Sequence, residues 1–330
     1  MFILRALMKR AKNILIAGFG DIGRRVALQL RDCRRCRVVA LVRASNMLAR
    51  DPKVARSIGV HLLKGDLGSL RSLQKLAGRA DTILHFAPPP GKGQHDSHTK
   101  HLLSALEGKR RSALRTPPLD QRSRSAMLPR RIIYISTTGV YGNCNGEFID
   151  ESRSVMPESA RAKRRVDAEK RLQKWGRVHA VAVTILRAPG IYAEDRLPLD
   201  RLKRQTSVLV PADDVFTNHI HADDLASAVI KAMRQRWPKS YRVFNVVDDS
   251  QLKMGDYFDQ MADAFGLTRP PRIRRVEAEQ RIAPVLLSFM RESRRISNAR
   301  AKRELKIVLR YPTLASALDG MRPANRTESD

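Results

Sequence analysis

The sequence predicts an α/β protein built on a doubly wound parallel sheet, with a smaller C-terminal lobe. Three observations carry this. Short β-branched runs alternate with longer amphipathic stretches from Lys12 onward, and strands separated by helices pair in parallel with helices on both faces. A glycine-rich turn, Gly18-Phe19-Gly20-Asp21-Ile22-Gly23, sits where the first strand run gives way to the first helical pattern. After Tyr192 the alternation loosens into a basic, proline-containing stretch from Leu197 to Pro312, which suits a lobe interleaved with the sheet. The chain's 330 residues are enough to bury one large core and such a lobe.

The expected strands, in order, are Asn13–Ala17, Arg37–Val42, His61–Lys64, Thr82–Ala87, Arg131–Ser136, Ala180–Arg187 and Tyr241–Val246. Helical patterns fill most of the gaps, at Asp21–Arg31, Ser69–Ala77, His98–Leu106 and Arg161–Lys174. Right-handed crossovers leave few topologies for this series, and the doubly wound nucleotide-binding sheet leads them. The nucleotide-binding domain is therefore placed over residues 12–250, with residues 108–131 as an inserted basic loop. Residues 193–215 and 251–321 form the C-terminal substrate lobe, and 1–11 and 322–330 are tails. The apolar start of MFILRALMKR is broken by Arg5, too early for a signal-peptide core, and residues 1–7 read as an extension before Met8. No apolar run reaches about 18 residues, so no membrane span is expected.

Net charge is +30, from 63 basic and 33 acidic residues. Such an excess suits nucleic acid, an anionic surface or polyanionic substrates, or it is spread over solvated faces. Part of it is local, since residues 108–131 hold eight Lys/Arg and one acid. That stretch has three prolines and no Phe, Tyr or Trp to stack on bases. A nucleic-acid role through it is an alternative reading, and the sequence argues against it more than for it. Three cysteines point to a reducing, cytoplasmic setting rather than a disulfide framework. Cys33-x-x-Cys36 lies where helix gives way to strand, not at the opening of a helix, and no second Cys/His pair accompanies it. Two ordinary cysteines are expected there. His98 and His101 share a helix face near Asp96, whereas His219 and His221 alternate on an extended segment. Neither pattern makes a metal site, and none is expected.

The glycine turn has the G-x-G-x-x-G spacing between a strand and a helix, with a second strand run about 20 residues on. Gly18 allows the tight turn, Gly20 lets backbone approach a pyrophosphate, and Gly23 lets helix pack on strand. The phosphates would rest on the helix N-terminus at Asp21 and Ile22, where free amides and the dipole favour negative charge. An NAD site usually places an acid at the end of the second strand. This chain has Val42 followed by Arg43. An arginine there can pair with a 2′-phosphate, so NADP is favoured, with NAD as the alternative.

Beyond this point the chain resembles the extended short-chain dehydrogenases/reductases, and within them atypical members of the NAD-dependent epimerase/dehydratase group. The resemblance runs from about Lys12 to Met321. It rests on Gly65-Asp66-Leu67 after the third strand, His85-Phe86-Ala87-Pro88 after the fourth, and Ser136-Thr137-Thr138-Gly139-Val140-Tyr141-Gly142 after the fifth. Leu186-Arg187-Ala188-Pro189-Gly190-Ile191-Tyr192 and His219-Ile220-His221-Ala222-Asp223-Asp224-Leu225-Ala226 follow in the family's order. The resemblance implies that Asp66 and Leu67 lie by the adenine, that Ala87 and Pro88 pack along the cofactor, and that Pro189 and Gly190 lie against the nicotinamide. It also implies that Thr137 orients the substrate.

The pattern breaks at the family's Y-x-x-x-K. Pro157, Ala168 and Glu169 set the register, which puts Arg161 at the tyrosine position and Arg165 at the lysine position. Arginine stays protonated at ordinary pH and cannot shuttle a proton as a phenol does. Arg165 can hold ribose hydroxyls, and Arg161 an anionic substrate group. A proton donor would come from Tyr141, Tyr192, His221 or water. The arginines of Phe289–Asn298 also suit an acidic or phosphorylated ligand. Expected, then, is an NADP-dependent reductase, epimerase or dehydratase acting on a small molecule, working as monomer or homodimer; an anionic substrate is one reading of these arginines, and an exposed basic helix at Phe289–Asn298 is the other. The alternative is a non-catalytic NADP-binding sensor or partner-binding module.

Overall fold

A computed structural model describes residues 12–45, 52–108, 128–235 and 240–321. Most of the basic 108–131 stretch and both tails lie outside these residues. The chain divides into two compact units. Among the described residues, the first runs to Ser136 and takes in Ala160–Arg187 and Ala226–Phe244; the second holds Thr137–Ser159, Ala188–Leu225 and everything from Asn245 on.

In chain order the main elements are β1 (Lys12–Ala17), α1 (Asp21–Leu30), β2 (Cys36–Val42), α2 (Pro52–Ser57), β3 (Val60–Lys64), β4 (Thr82–His85), α3 (Ser97–Glu107), β5 (Arg131–Thr137), α4 (Ala160–His179), β6 (Ala182–Ala188), β7 (Gly190–Tyr192), β8 (His219–His221), α5 (Ala222–Arg234), β9 (Tyr241–Asn245), α6 (Met254–Ala264) and α7 (Leu314–Asp319). The first unit is a seven-stranded parallel sheet in the order β9-β6-β5-β4-β1-β2-β3. Register is set by pairs such as Ile14↔Val38, Ile14↔Thr82 and Thr82↔Arg131. The chain starts at the centre, winds out to β3, then crosses back through β4 to the other edge. That reversal puts β1 and β4 side by side, and the crevice at the carboxyl ends of strands on either side of such a switch is where ligands bind in doubly wound sheets.

The strands form where the sequence is apolar on both faces. Ile14, Leu15, Ile16 and Ala17 are all buried, as expected for a sheet covered by helices. Helix α1 buries Ile22, Val26, Ala27 and Leu30, one stripe of an amphipathic turn pattern. Helices α3 and α4 close one face with Leu102, Leu106, Leu172 and Trp175. Arg187 on β6 meets Glu169 on α4 in an ion pair of 2.7 Å, with both side chains buried. In the second unit, α6 and α7 pack Phe258, Met261 and Leu314 around Leu209 and Tyr192, and β7 pairs in parallel with β8.

Three expectations change. Cys33 and Cys36 are disulfide-bonded, not two ordinary cysteines. Successive turns, Cys33 N–H to Leu30 O and Cys36 N–H to Cys33 O, bring their Cα atoms to 5.4 Å, within reach of a bridge. The helix expected at Ser69–Ala77 shrinks to a single 3-10 turn at Leu70–Leu73, where the Ser72 hydroxyl lies within hydrogen-bond reach of the Asp66 and Ser69 carbonyls. The fourth strand stops at His85 rather than Ala87, because both Phe86 and Ala87 donate their N–H groups to one acceptor, Ala17 O. Among the described residues no helix is long and apolar enough to cross a membrane.

Candidate functional site

In the first unit the carboxyl ends of β1, β2, β3 and β4 converge on the glycine turn. Gly18 has φ +104°, a region favouring glycine. A Cβ there would stand 2.2 Å from Ala87 N, so the turn is held against the end of β4. At Gly23 a Cβ would meet Gly18 O at 2.9 Å, which is how α1 comes so close to β1. Gly20 differs: a Cβ built on it meets no atom within 4 Å. Nothing in the fold requires glycine there. The open space lies at the N-cap of α1, where amide N–H groups face outward and the helix dipole favours an anion. A pyrophosphate fits that combination, and the residues present suit a dinucleotide.

Around the turn, Asp21 carries a 2.9 Å bond from Arg25 Nε, and Ile22 is buried under α1. Val42 is buried, and Arg43 is exposed immediately past β2. Asp66 is exposed past β3, its Oδ1 accepting from Gly68 N at 2.9 Å, and Leu67 is buried beside it. Ala87 is buried and Pro88 exposed. Two histidines hold these loops, a role the sequence reading missed. His98 Nδ1 donates to Pro88 O at 2.9 Å and His101 Nδ1 to Leu67 O at 2.8 Å. Their i, i+3 spacing was the available signal. Among the described residues no group of three His, Cys, Asp or Glu could hold a metal.

His85 sits behind the turn, fully buried. The Thr99 hydroxyl gives its proton to Asp96 Oδ2 at 2.7 Å, so it accepts from His85 Nε2 at 2.8 Å. Burial pushes the imidazole down to about 4, against the pull of Asp96. A neutral histidine with its tautomer set by a hydroxyl is a structural one. Arg165 projects from α4 to the end of β5, with Nη1 donating to Tyr134 Oη and Ile135 O, each at 2.8 Å. Arg161 lies one turn earlier, half-buried.

In the second unit, Thr137 ends β5 and caps a 3-10 turn, its Oγ1 accepting from Gly139 N at 3.2 Å. Glu292 is the residue that sequence reasoning passed over. It is 7% exposed, and a Cβ on Gly139 would lie 3.5 Å from Thr137 Oγ1 and 3.9 Å from Glu292 Oε2. One carboxylate and one hydroxyl therefore flank the same point. Pro189 is half-buried and Gly190 exposed at the start of β7.

The candidate proton donors are already engaged. Tyr141 is 1% exposed and donates to Asn245 Oδ1 at 2.8 Å. Tyr192 is 1% exposed and donates to Asp248 Oδ2 at 3.5 Å. His221 is buried, with Nδ1 accepting from Asp223 N at 3.2 Å. The arginines of Phe289–Asn298, expected to suit an anion, also make contacts within the protein. Arg291 pairs with Glu279, Arg294 bonds Glu292 and Gly142 O, and Arg295 bonds Gly146 O while lying over Phe216. Acceptors from neighbouring segments outnumber what a one-dimensional reading could see.

Residues 14–246 match the model of the NAD-dependent epimerase/dehydratase family. None of the curated proteins matches the chain. Among solved structures, a conserved protein of unknown function from Silicibacter pomeroyi DSS is 25% identical, with a TM-score of 0.74 over 94% of this chain and 98% of that one. A protein of Methylobacillus flagellatus provisionally described as an NAD-dependent epimerase/dehydratase is also 25% identical, with a TM-score of 0.66 over 94% and 97%. The UDP-glucuronic acid 4-epimerase of Bacillus cereus, in complex with NAD, is 15% identical with a TM-score of 0.70 over 94% and 95%, a likeness of fold.

Proposed function

This chain belongs to the NAD-dependent epimerase/dehydratase family, and on that premise we propose that it binds NADP in preference to NAD and acts on a small molecule bearing an anionic group. The observation that carries the cofactor reading is Gly20, a glycine required by no protein contact at the N-cap of a helix. Arg43, in place of the usual acid, carries the choice of NADP. Asp66, Leu67, Ala87 and Pro88 would line the adenine side. Nicotinamide, when bound, exchanges a hydride with its substrate.

The chain's own residues then divide the remaining work. Thr137 orients the substrate through its hydroxyl, and Pro189 with Gly190 packs against the ring. Arg161 supplies the anionic contact. Arg165 shapes the end of β5 by holding Tyr134 and the Ile135 carbonyl. Proton transfer falls to water or to a group the substrate brings, because Tyr141, Tyr192 and His221 are buried and engaged.

The same engagement favours a second reading, an NADP-binding protein that turns nothing over. Fluorescence titration with NADPH and NADH tests the binding that both readings share, and binding of neither would end both. A panel of carbonyl compounds and nucleotide sugars, followed at the nicotinamide absorbance, separates them: turnover of any member removes the second reading.

A further inference from the structure

The far end of the first unit holds a cavity of about 540 Å³, bounded by α4 and by the chain entering β6 and β9. These are strand starts, whereas the glycine turn follows the end of β1, so the cavity lies at the opposite end of the sheet. Its volume is within the range of small-molecule sites, roughly 300–1,000 Å³. Lys170, Lys174 and Arg177 line one side. Their i, i+4, i+7 spacing puts all three on one stripe of α4. No acid is among the residues that line the cavity. Elsewhere in this unit the cations near the helix have partners: Arg171 pairs with Asp167 and Arg187 with Glu169. Like charges at this spacing repel and destabilise the helix that carries them.

The opposite wall differs in chemistry. Half-buried Tyr241 supplies an aromatic floor, while Val183 is sealed behind Gly176, where a Cβ would stand 2.6 Å from Val183 Cγ2. Three cations and one aromatic face call for one kind of molecule, with charge at one end and a flat apolar group at the other.

We propose that this cavity is a second anion site, binding a phosphorylated small molecule of nucleotide size. Its phosphates meet Lys170, Lys174 and Arg177, and its ring lies on Tyr241. The proposal stands apart from the cofactor reading, since it uses no residue of the glycine turn.

Isothermal titration of the full chain with ATP, and separately with tripolyphosphate, at near-physiological salt tests it. Two variants assign the binding: K170E/K174E/R177E in the cavity and Gly20→Val in the turn, each checked for unchanged circular dichroism. Expected is saturable ATP binding that survives Gly20→Val and weakens by about tenfold or more in the triple variant, as loss of three exposed charge contacts implies. Tripolyphosphate binds more weakly than ATP, because the floor contributes. Should the triple variant misfold, Tyr241→Leu and Lys174→Gln serve instead, each lowering ATP affinity severalfold. Absence of ATP binding, binding lost in Gly20→Val, or binding unchanged in the cavity variants overturns the proposal. Failure of the cofactor reading shows separately, as wild-type protein that binds ATP but neither NADPH nor NADH.

Discussion

Gly18 and Gly20 are two residues apart and glycine for different reasons. Gly18 combines a left-handed φ with a Cβ position inside the Ala87 backbone. Gly18→Ala is therefore expected to destabilise the fold by at least about 1–3 kcal/mol from backbone conformation alone, lowering the midpoint in urea. Gly20→Ala meets open space, so its midpoint should hold while NADPH affinity falls. Equal stability losses in the two variants would contradict the distinction. Arg43→Ala tests cofactor choice: NADPH affinity should drop by about tenfold, one charge-assisted contact, with NADH affinity unchanged. Asp248 offers a test by pH. Burial raises its carboxyl to about 7, with the neighbouring Asp249 adding to the rise. The folded protein therefore keeps a proton that the unfolded chain releases near pH 4. The stability this group contributes is full below about pH 4 and is lost as pH rises through 7, at up to about 1.4 kcal/mol per pH unit. Between pH 5 and 8 the melting temperature of Asp248→Asn should fall less than that of wild type, and parallel curves would refute the assignment.

At the scale of elements, α4 carries the most varied load. It packs Leu172 and Trp175 into the core, aims Arg165 at β5 and pairs Glu169 with Arg187. Glu169→Gln removes the carboxylate charge that faces the buried Arg187 guanidinium and is expected to cost about 3–5 kcal/mol by chemical denaturation. Replacing both partners with Met and Leu should recover most of that loss, and a double variant no better than the single one would argue against the pair. The sheet strands and α1 were legible in the sequence because period and composition alone identify them: Ile14 to Ala17 is apolar on both faces, and Gly18 to Gly23 punctuates it. The Ser69–Ala77 turn and the Cys33–Cys36 bridge were not. The first is a 3-10 turn tied to the Asp66 loop through Ser72, and the second depends on how two turns stack. Neither leaves a mark on hydrophobic period.

For the molecule as a whole, the glycine turn, Asp66 and the residues after β4 follow the order of strands, and so could be placed from one dimension. Glu292 beside Gly139, and the Leu67 loop fastened by His101, depend on contacts between segments far apart in the chain, which no local pattern encodes. Arg294 and Arg295 are tied down by such contacts too, at Gly142 O and Gly146 O. The central claim is that this chain holds a nicotinamide dinucleotide on the turn after β1, with a preference for the 2′-phosphate. Titration of the full chain with NADPH and NADH, on wild type and Gly20→Ala, measures it most directly. The account predicts saturable NADPH binding, tighter than NADH and lost or much weakened in Gly20→Ala. Absence of binding to both dinucleotides, or binding untouched by Gly20→Ala, would contradict it.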